Sequence, residues 1–408
     1  MAGEYDLIVV GGGAAGFFGA LACAAQRPDA RVLILERGEA LLRKVKISGG
    51  GRCNVTNATF DPRALAGNYP RGSRELIGPF TRFQPRDTLE WFQRRGAALK
   101  TEPDGRVFPA SDSAQTIINC LLDEAGKLGV QIQTRASVTR IHAASSSFAV
   151  ELRAGEVLNT RRVLLATGGE RGGFALAQQL GHTILPPVPS LFTFRIQDPR
   201  LEGLAGLAVP DARLFLPEFH LEQRGPLLVT HWGLSGPAAL KLSAWAAREL
   251  HGANYRAALR VNWNAAQSVD TLYAKLLERR SSEPRKPAGA HDPLGSLPAR
   301  LWKRLLAAAQ IAPTSPLGEV STQRIYTLAQ QLANSEFSIS GKGEFKEEFV
   351  TCGGVALKEV QFKTMESRVT PGLYLAGELL DIDGITGGFN FQAAWTTGWI
   401  AGKAAAEG

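Results

Sequence analysis

The sequence predicts an α/β chain: a doubly wound, mostly parallel domain assembled from both chain ends, interrupted by a β-rich insertion that carries a nested helical subdomain. Three observations predict it. A short apolar run near the start stops at a glycine cluster and gives way to an Ala-rich segment. Prolines at 186, 187 and 189 mark a change to short, alternating segments. From 351 onward the glycine-rich strand-and-helix character of the first domain returns.

Leu7, Ile8, Val9 and Val10 form an apolar run too brief for a helix, cut off by Gly11, Gly12 and Gly13, and read as a buried strand. The spacing Gly11-x-Gly13-x-x-Gly16 then enters a helix expected over 14–25, with Ala14 and Ala15 in its first turn. Gly11 permits the tight turn, Gly13 lets the backbone approach a pyrophosphate, and Gly16 lets helix and strand pack closely. Phosphates suit the free N–H groups and positive dipole end of that helix, with no side-chain cation required. A second strand over 31–35 ends in Glu36. An acid here accepts a ribose 2′-hydroxyl and repels a 2′-phosphate, so the site suits FAD or NAD rather than NADP. Glycine clusters alone also make ordinary turns; strand, loop, helix, strand and acid in register make a Rossmann-like dinucleotide site.

The 408 residues are enough for two or three domains, and 44% hydrophobic content suffices for real cores. The chain enters its first strand within five residues and has no apolar run of the roughly 20 residues a membrane span needs, so no signal peptide, no membrane segment and a cytoplasmic location are expected. Cys23, Cys53, Cys120 and Cys352 are scattered, with no spacing suited to zinc or an iron–sulfur cluster, so reduced thiols and no metal site are expected. The net charge of +8 raises a nucleic-acid partner, but the Lys and Arg residues are dispersed among acids and read as a solvated surface.

Between these landmarks the chain divides into segments. Residues 48–57, SGGGRCNVTN, describe backbone passing close to a ligand while offering N–H and side-chain donors, against a flexible surface loop as the plainer reading. Helices are expected at 86–95 and 114–128, and a strand meander at 130–134, 138–143, 148–152 and 157–159. A further buried strand, 162–166, stops at Thr167, Gly168 and Gly169. Beyond the prolines, strands are expected at 191–196, 227–230 and 256–263, a helix at 238–250, helices within 267–333 around a linker at 281–293, and strands at 337–340 and 345–350. The expected domains are 1–188 with 351–408, a β-rich insertion of 189–263 and 334–350, and a helical subdomain of 264–333.

An NAD dehydrogenase needs one fingerprint and one pocket, whereas this chain has further glycine-rich junctions at widely separated points. A long cofactor running from the first domain to the C-terminal segment explains them, and FAD has that length. Reduced flavin carries negative charge on its ring, which a helix start at 387–391 stabilises; Glu378, just past a strand, suits a ribityl hydroxyl.

The segments KISGGGRCNVTN, THWGLSGPAALKLS, TCGGVALKEVQFKTMES and GLYLAGELLDIDGITGGFNFQAAWTTGWIAG together resemble the BaiN/YhiN-type flavoprotein family, across essentially the whole chain. The resemblance implies an FAD domain built from both ends of the sequence, with a β-barrel and a helical insertion between. It implies an NAD(P)/FAD-dependent oxidoreductase; named activities in the family include reduction of a steroid enone and oxidation of aminoacetone. Residue by residue, it points to Gly11, Gly13, Ala14, Ala15, Gly16, Glu36 and Arg37 at the adenosine and pyrophosphate. Lys44, Ser48, Gly49, Gly50, Gly51, Arg52, Asn54, Thr167 and Gly168 are expected along the cofactor, and Gly377, Glu378, Gly388, Phe389 and Asn390 at its flavin end.

Catalytic candidates are fewer. His231, before a Gly-rich helix start, is the acid or base to consider, against a structural histidine. Arg52 suits either an anionic substrate group or the cofactor itself. Cys53 and Cys352 flank the expected flavin, as a redox dithiol would, although small buried thiols near glycines are commonly inert. The expected function is hydride transfer at flavin N5 between NAD(P)H and a small organic substrate. The alternatives are an amine oxidase using oxygen, an RNA-directed flavoprotein, and a non-catalytic flavin sensor.

Overall fold

Tyr5–Val10 (β1) enters the core as four fully buried aliphatic residues and ends in a glycine loop, after which α1 (Ala14–Gln26) begins. The computed structural model describes residues 5–290, 292, 295, 297–343 and 350–407. These form two compact units, 1–188 with 350–408, and 189–349.

In the first unit, β1 is flanked on one side by β2 (Val32–Leu35) and then β3 (Gln131–Gln133). On the other side lie β4 (Val157–Leu165) and then β5 (Leu373–Leu375). Every one of these pairings is parallel, so both faces of the sheet must be covered, and the aliphatic runs of β1, β2 and the end of β4 are accordingly buried throughout. β5 comes from the far end of the sequence, which makes the sheet a joint product of both chain ends. The closing helix α2 (Phe389–Glu407) packs against α1, glycine to glycine.

Several local expectations change. The strands expected at 157–159 and 162–166 are one strand, β4, which ends at Leu165: its first half pairs antiparallel with Phe148–Leu152 and its second half parallel with β1, and Thr160 to Arg162 mark the exchange of partners. Residues 131–133 belong to the parallel sheet rather than to the meander. The prolines at 186, 187 and 189 lie inside a strand, Ile184–Ser190, which among the described residues pairs only with Val350–Val355 and so tolerates their missing N–H groups.

The second unit is an antiparallel sheet of segments in the order Ser335–Ile339, Ala257–Asn262, Ala208–Leu216, Leu221–Val229, Gly233–Ser235, Phe194–Arg195 and Gly341–Lys342. The two ends of that order are separated in sequence only by Ser340. The sheet therefore curls until its edges are a single bent strand, which makes it a barrel. Ala208–Leu216 escapes a sequence reading because it contains Pro210 at a bulge between Val209 and Ala212. The helix expected over 238–250 is broken at Ala246 into Pro237–Trp245 and Ala247–Gly252. Helices Val269–Ser282, Ala299–Ala308 and Thr322–Ala333 share one core with the barrel, in which Leu214, Leu259, Trp263, Leu301, Trp302 and Leu328 are buried. Of the strand expected at 345–350, residues 345–349 lie outside the described residues. Among the described residues no helix is long and apolar enough to cross a membrane.

Candidate functional site

The glycine loop after β1 is held from both sides. Glu36, at the end of β2, accepts hydrogen bonds from Gly12 N at 2.9 Å and Gly38 N at 2.8 Å, so its carboxylate stands fixed beside the loop. Gly11 has φ +116°, and a Cβ there would lie 2.4 Å from the Ala166 carbonyl oxygen, so the loop presses against the end of β4. At Gly16 a Cβ would meet the Gly11 oxygen at 1.9 Å. Gly13 differs: nothing lies within 4 Å of its missing Cβ, and α1 starts there without a side-chain cap. An open space in front of uncapped helical N–H groups is what a pyrophosphate requires.

From this loop the expected residues continue as a connected line. Thr167 follows Ala166, and its Oγ1 is buried with no hydrogen-bond partner. Gly173 explains how the chain turns back so soon after β4, since any Cβ there would overlap Thr167 Oγ1 at 1.8 Å. Beside Gly168 and Gly169 stands Glu378, whose Oε1 accepts from Thr351 N at 2.9 Å and whose Oε2 pairs with Lys44 Nζ. Lys44 and Glu378, expected separately along the cofactor, are thus partners of each other.

The 48–54 loop carries three consecutive left-handed glycines, and Gly50 and Gly51 face open space. Ser48 Oγ turns inward to Val45 O at 3.0 Å. In the amide orientation that satisfies its neighbours, with O and N exchanged, Asn54 donates to Val107 O and Thr56 O and accepts from Gly388 N at 3.0 Å, which joins this loop to the start of α2. There a Cβ on Gly388 would lie 2.4 Å from Thr56 O.

Three of the expected cofactor contacts also have partners within the chain. Asn390 closes its own loop, accepting from Gly384 N at 2.8 Å and donating to Gly384 O at 2.9 Å. The Phe389 ring is buried against Tyr69, and its carbonyl accepts from Tyr69 Oη at 2.6 Å. Arg52 stacks on Phe108, 3.9 Å from the ring centroid, and donates to Glu102 at 2.8 Å and Asp112 at 3.4 Å. The hydrogen bond to Glu102, followed by the Asp112 contact, holds its guanidinium above the ordinary range. Arg37 pairs with Glu170 at 2.7 Å. His231 belongs to the other unit, exposed on the turn before Gly233–Ser235.

The four cysteines are buried and form no disulfide. Burial pushes the Cys53 thiol up to about 12, far from the thiolate a redox dithiol uses. Gly12, Thr351 and Tyr69 are the residues a sequence reading misses. Gly12 and Thr351 act through backbone N–H groups, which no side chain announces, although Gly12 lies inside the glycine fingerprint and Thr351 near a glycine pair; Tyr69 lies in a stretch with no recognisable spacing.

The helix register ties the line together. Gly398 and Gly402 of α2 lie against the backbone of Ala15 and Gly19 of α1, so the helices run parallel and in fixed register. Phe389 consequently starts eight residues, about 12 Å along the axis, beyond the level of Ala14. Two helix N-termini thus open in the same direction at different depths, an arrangement that suits one long cofactor touching both.

Comparison with known proteins agrees. The family model described as HI0933-like protein Rossmann domain matches residues 5–404. The chain is 34% identical over 413 residues to the ribosomal RNA dihydrouridine synthase of Escherichia coli K12, covering 98% of each. It is 31% identical over 420 residues, again covering 98% of each, to the 3-dehydro-bile acid delta(4,6)-reductase of Clostridium scindens. Among solved structures, the 3-ketosteroid delta1-dehydrogenase of Sterolibacterium denitrificans shares the fold at TM-score 0.53 and 13% identity, with 99% of each chain covered. The chain belongs to the HI0933-like Rossmann-domain family of FAD-dependent oxidoreductases.

Proposed function

We propose that the chain is an FAD-dependent reductase that saturates a carbon–carbon double bond conjugated to a carbonyl, that its substrate is uridine in ribosomal RNA, and that NAD(P)H supplies the hydride. The observation that carries this reading is the end-to-end match to two relatives whose named reactions share one step. Making dihydrouridine saturates C5=C6 of uracil, conjugated to the C4 carbonyl; a delta(4,6)-reductase of a 3-dehydro bile acid saturates carbon–carbon bonds conjugated to the C3 carbonyl. RNA is favoured over a steroid because the higher of the two identities is to the rRNA enzyme and because the chain carries a net charge of +8. Composition alone reads that charge as a solvated surface; the relative gives it a partner.

In the overall reaction, uracil C5=C6 gains a hydride and a proton, and one NAD(P)H becomes NAD(P)⁺, so atoms and electrons balance. When bound, FAD supplies the hydride-transfer centre at N5. Glu36 would orient the adenosine ribose, and the open start of α1 at Gly13 would take the pyrophosphate. The Lys44–Glu378 pair would hold the ribityl chain, and the start of α2 at Gly388 would offer its positive dipole end to the ring. Arg52, held by Glu102 and Phe108, acts as a positioning residue for the 48–54 loop. The proton that accompanies the hydride comes from solvent, directly or through a general acid.

The test is to incubate the flavin-loaded protein with NADH or NADPH and unmodified ribosomal RNA transcript, then digest to nucleosides and measure dihydrouridine by mass spectrometry. Dihydrouridine that depends on nicotinamide supports the reading. RNA left unchanged while a 3-keto-4-ene steroid is reduced would move the substrate to small molecules. A flavin that neither nicotinamide bleaches would overturn the NAD(P)H assignment.

A further inference from the structure

We propose that the His231–Trp232 turn of the barrel, with Arg195 on the neighbouring strand, is a reading surface for single-stranded RNA: an unpaired base stacks on the Trp232 indole and Arg195 takes the adjoining phosphate. The inference rests on the RNA reading above and names the contact through which this chain would hold that substrate.

Trp232 is 44% exposed, whereas Trp263 and Trp302 of the same unit are buried to 1%. That exposure is imposed by the backbone. His231 and Trp232 are the two central residues of a tight turn in which Thr230 N donates to Gly233 O at 2.8 Å and Trp232 N to Thr230 Oγ1 at 3.2 Å. Ile196 N, on the adjacent strand, donates to Trp232 O at 2.9 Å. Gly233 fixes the far side: its φ is +142°, and a Cβ would stand 2.4 Å from Phe194 O. The turn is therefore pinned on both sides while both of its central residues are exposed.

Arg195 completes the surface. It pairs in register with Gly233, points to the exposed face between buried Phe194 and Ile196, and passes over Gly341, whose missing Cβ would be 3.6 Å from Arg195 Cδ. Among the described residues no carboxylate lies within ion-pair distance of it. An exposed aromatic residue on a pinned turn and, on the neighbouring strand, an exposed guanidinium with no such carboxylate match the two faces of an unpaired nucleotide, a π-surface and a phosphate. A protein partner would call for a wider apolar patch; here His231 on the turn and Arg195 and Gln197 on the neighbouring strand are polar and exposed. The turn also lies within the THWGLSGP segment, which the cofactor residues leave unexplained.

The experiment uses flavin-loaded protein with a short single-stranded oligouridine as probe, read by fluorescence anisotropy, and ribosomal RNA transcript for turnover. Trp232→Ala should weaken oligouridine binding about 5- to 150-fold and raise KM for RNA more than it lowers kcat, and Trp232→Phe should recover most of the loss. Arg195→Gln should reduce the slope of log affinity against log salt by about 0.7. In the unaltered protein, ultraviolet cross-linking to an iodouridine-bearing oligomer should place the adduct on the 230–233 turn, a readout independent of any variant's folding. Wild-type affinity in Trp232→Ala, or an adduct located elsewhere, in a protein that makes dihydrouridine would overturn this inference and leave the proposed function standing. A parent protein that neither binds nor reduces RNA would overturn both.

Discussion

Gly402 of α2 lies so close to Gly19 of α1 that a Cβ on Gly402 would stand 2.0 Å from the Gly19 carbonyl oxygen. One turn earlier, Gly398 approaches the Ala15 oxygen, with 2.3 Å to a Cβ built there. These contacts set how far the start of α2 extends past the start of α1. Gly402→Ala gains about 1 kcal/mol in helix propensity. It also drives a methyl group into backbone, which cannot rotate away, and such overpacking costs about 1–3 kcal/mol. The clash should win, lowering the thermal midpoint and the flavin retained per protein, read as the ratio of visible to ultraviolet absorbance.

Glu36 uses both carboxylate oxygens to hold Gly12 N and Gly38 N, so it shapes the loop as well as meeting the ribose. Glu36→Gln removes the charge and turns an NH2 toward one of those donors. Losing a hydrogen bond to a charged group costs about 1.5–3 kcal/mol, so FAD affinity should fall about 10- to 150-fold. Titration of the deflavinated protein with FAD measures this, and unchanged affinity would remove Glu36 from the adenosine site.

What the sequence discloses here follows from which interactions are local. The β1–α1–β2 unit is readable because its strand, glycine turn and helix are neighbours in sequence and each residue type has one mechanical reason. The return of the chain at 372–407 is readable because small residues recur on one helix face. β4 reads as two pieces because the change of partner at Thr160 to Arg162 is a tertiary event, invisible to periodicity. Asn390 and Phe389 read as ligand contacts by position, and what the sequence does not disclose is that each is also tied to the chain itself, at the Gly384 loop and at Tyr69. Those partners lie six and 320 residues away, at no recognisable spacing. Arg52 is a similar case, since Glu102 and Phe108 reach it only through strand pairing.

Cys53 bears on the dithiol idea. Its side chain is fully buried, and burial raises the thiol to about 12 despite the opposing hydrogen bond from Ser48. At neutral pH the thiolate fraction is then negligible, and thiolate is the reactive form. Iodoacetamide should leave Cys53 and the equally buried Cys352 unmodified in the native protein and alkylate both after denaturation. Rapid native labelling of Cys53 would revive a redox role.

His182 should make the fold sensitive to acid. Its Nε2 lies 2.8 Å from Ser367 Oγ and its Nδ1 3.1 Å from Glu359 Oε2. Ser367 Oγ already accepts from Val369 N and Thr370 N, so its own proton goes to Nε2, leaving His182 neutral with its hydrogen on Nδ1 facing Glu359. Burial holds His182 below its ordinary 6.5, with Glu359 opposing. Burial alone would raise Glu359, but the bonds from Thr183 and His182 outweigh it and hold the carboxyl below its ordinary 4.5. In both cases the unfolded chain binds the proton more readily than the fold, so stability is full above the ordinary value and is lost as pH falls through the depressed one. Urea midpoints should therefore decline first below pH 6.5, from His182, and again below pH 4.5, from Glu359. His182→Gln keeps a side chain that can bond both neighbours but does not titrate. It should flatten the first decline and leave the second; an unaltered profile would assign the acid sensitivity to other groups.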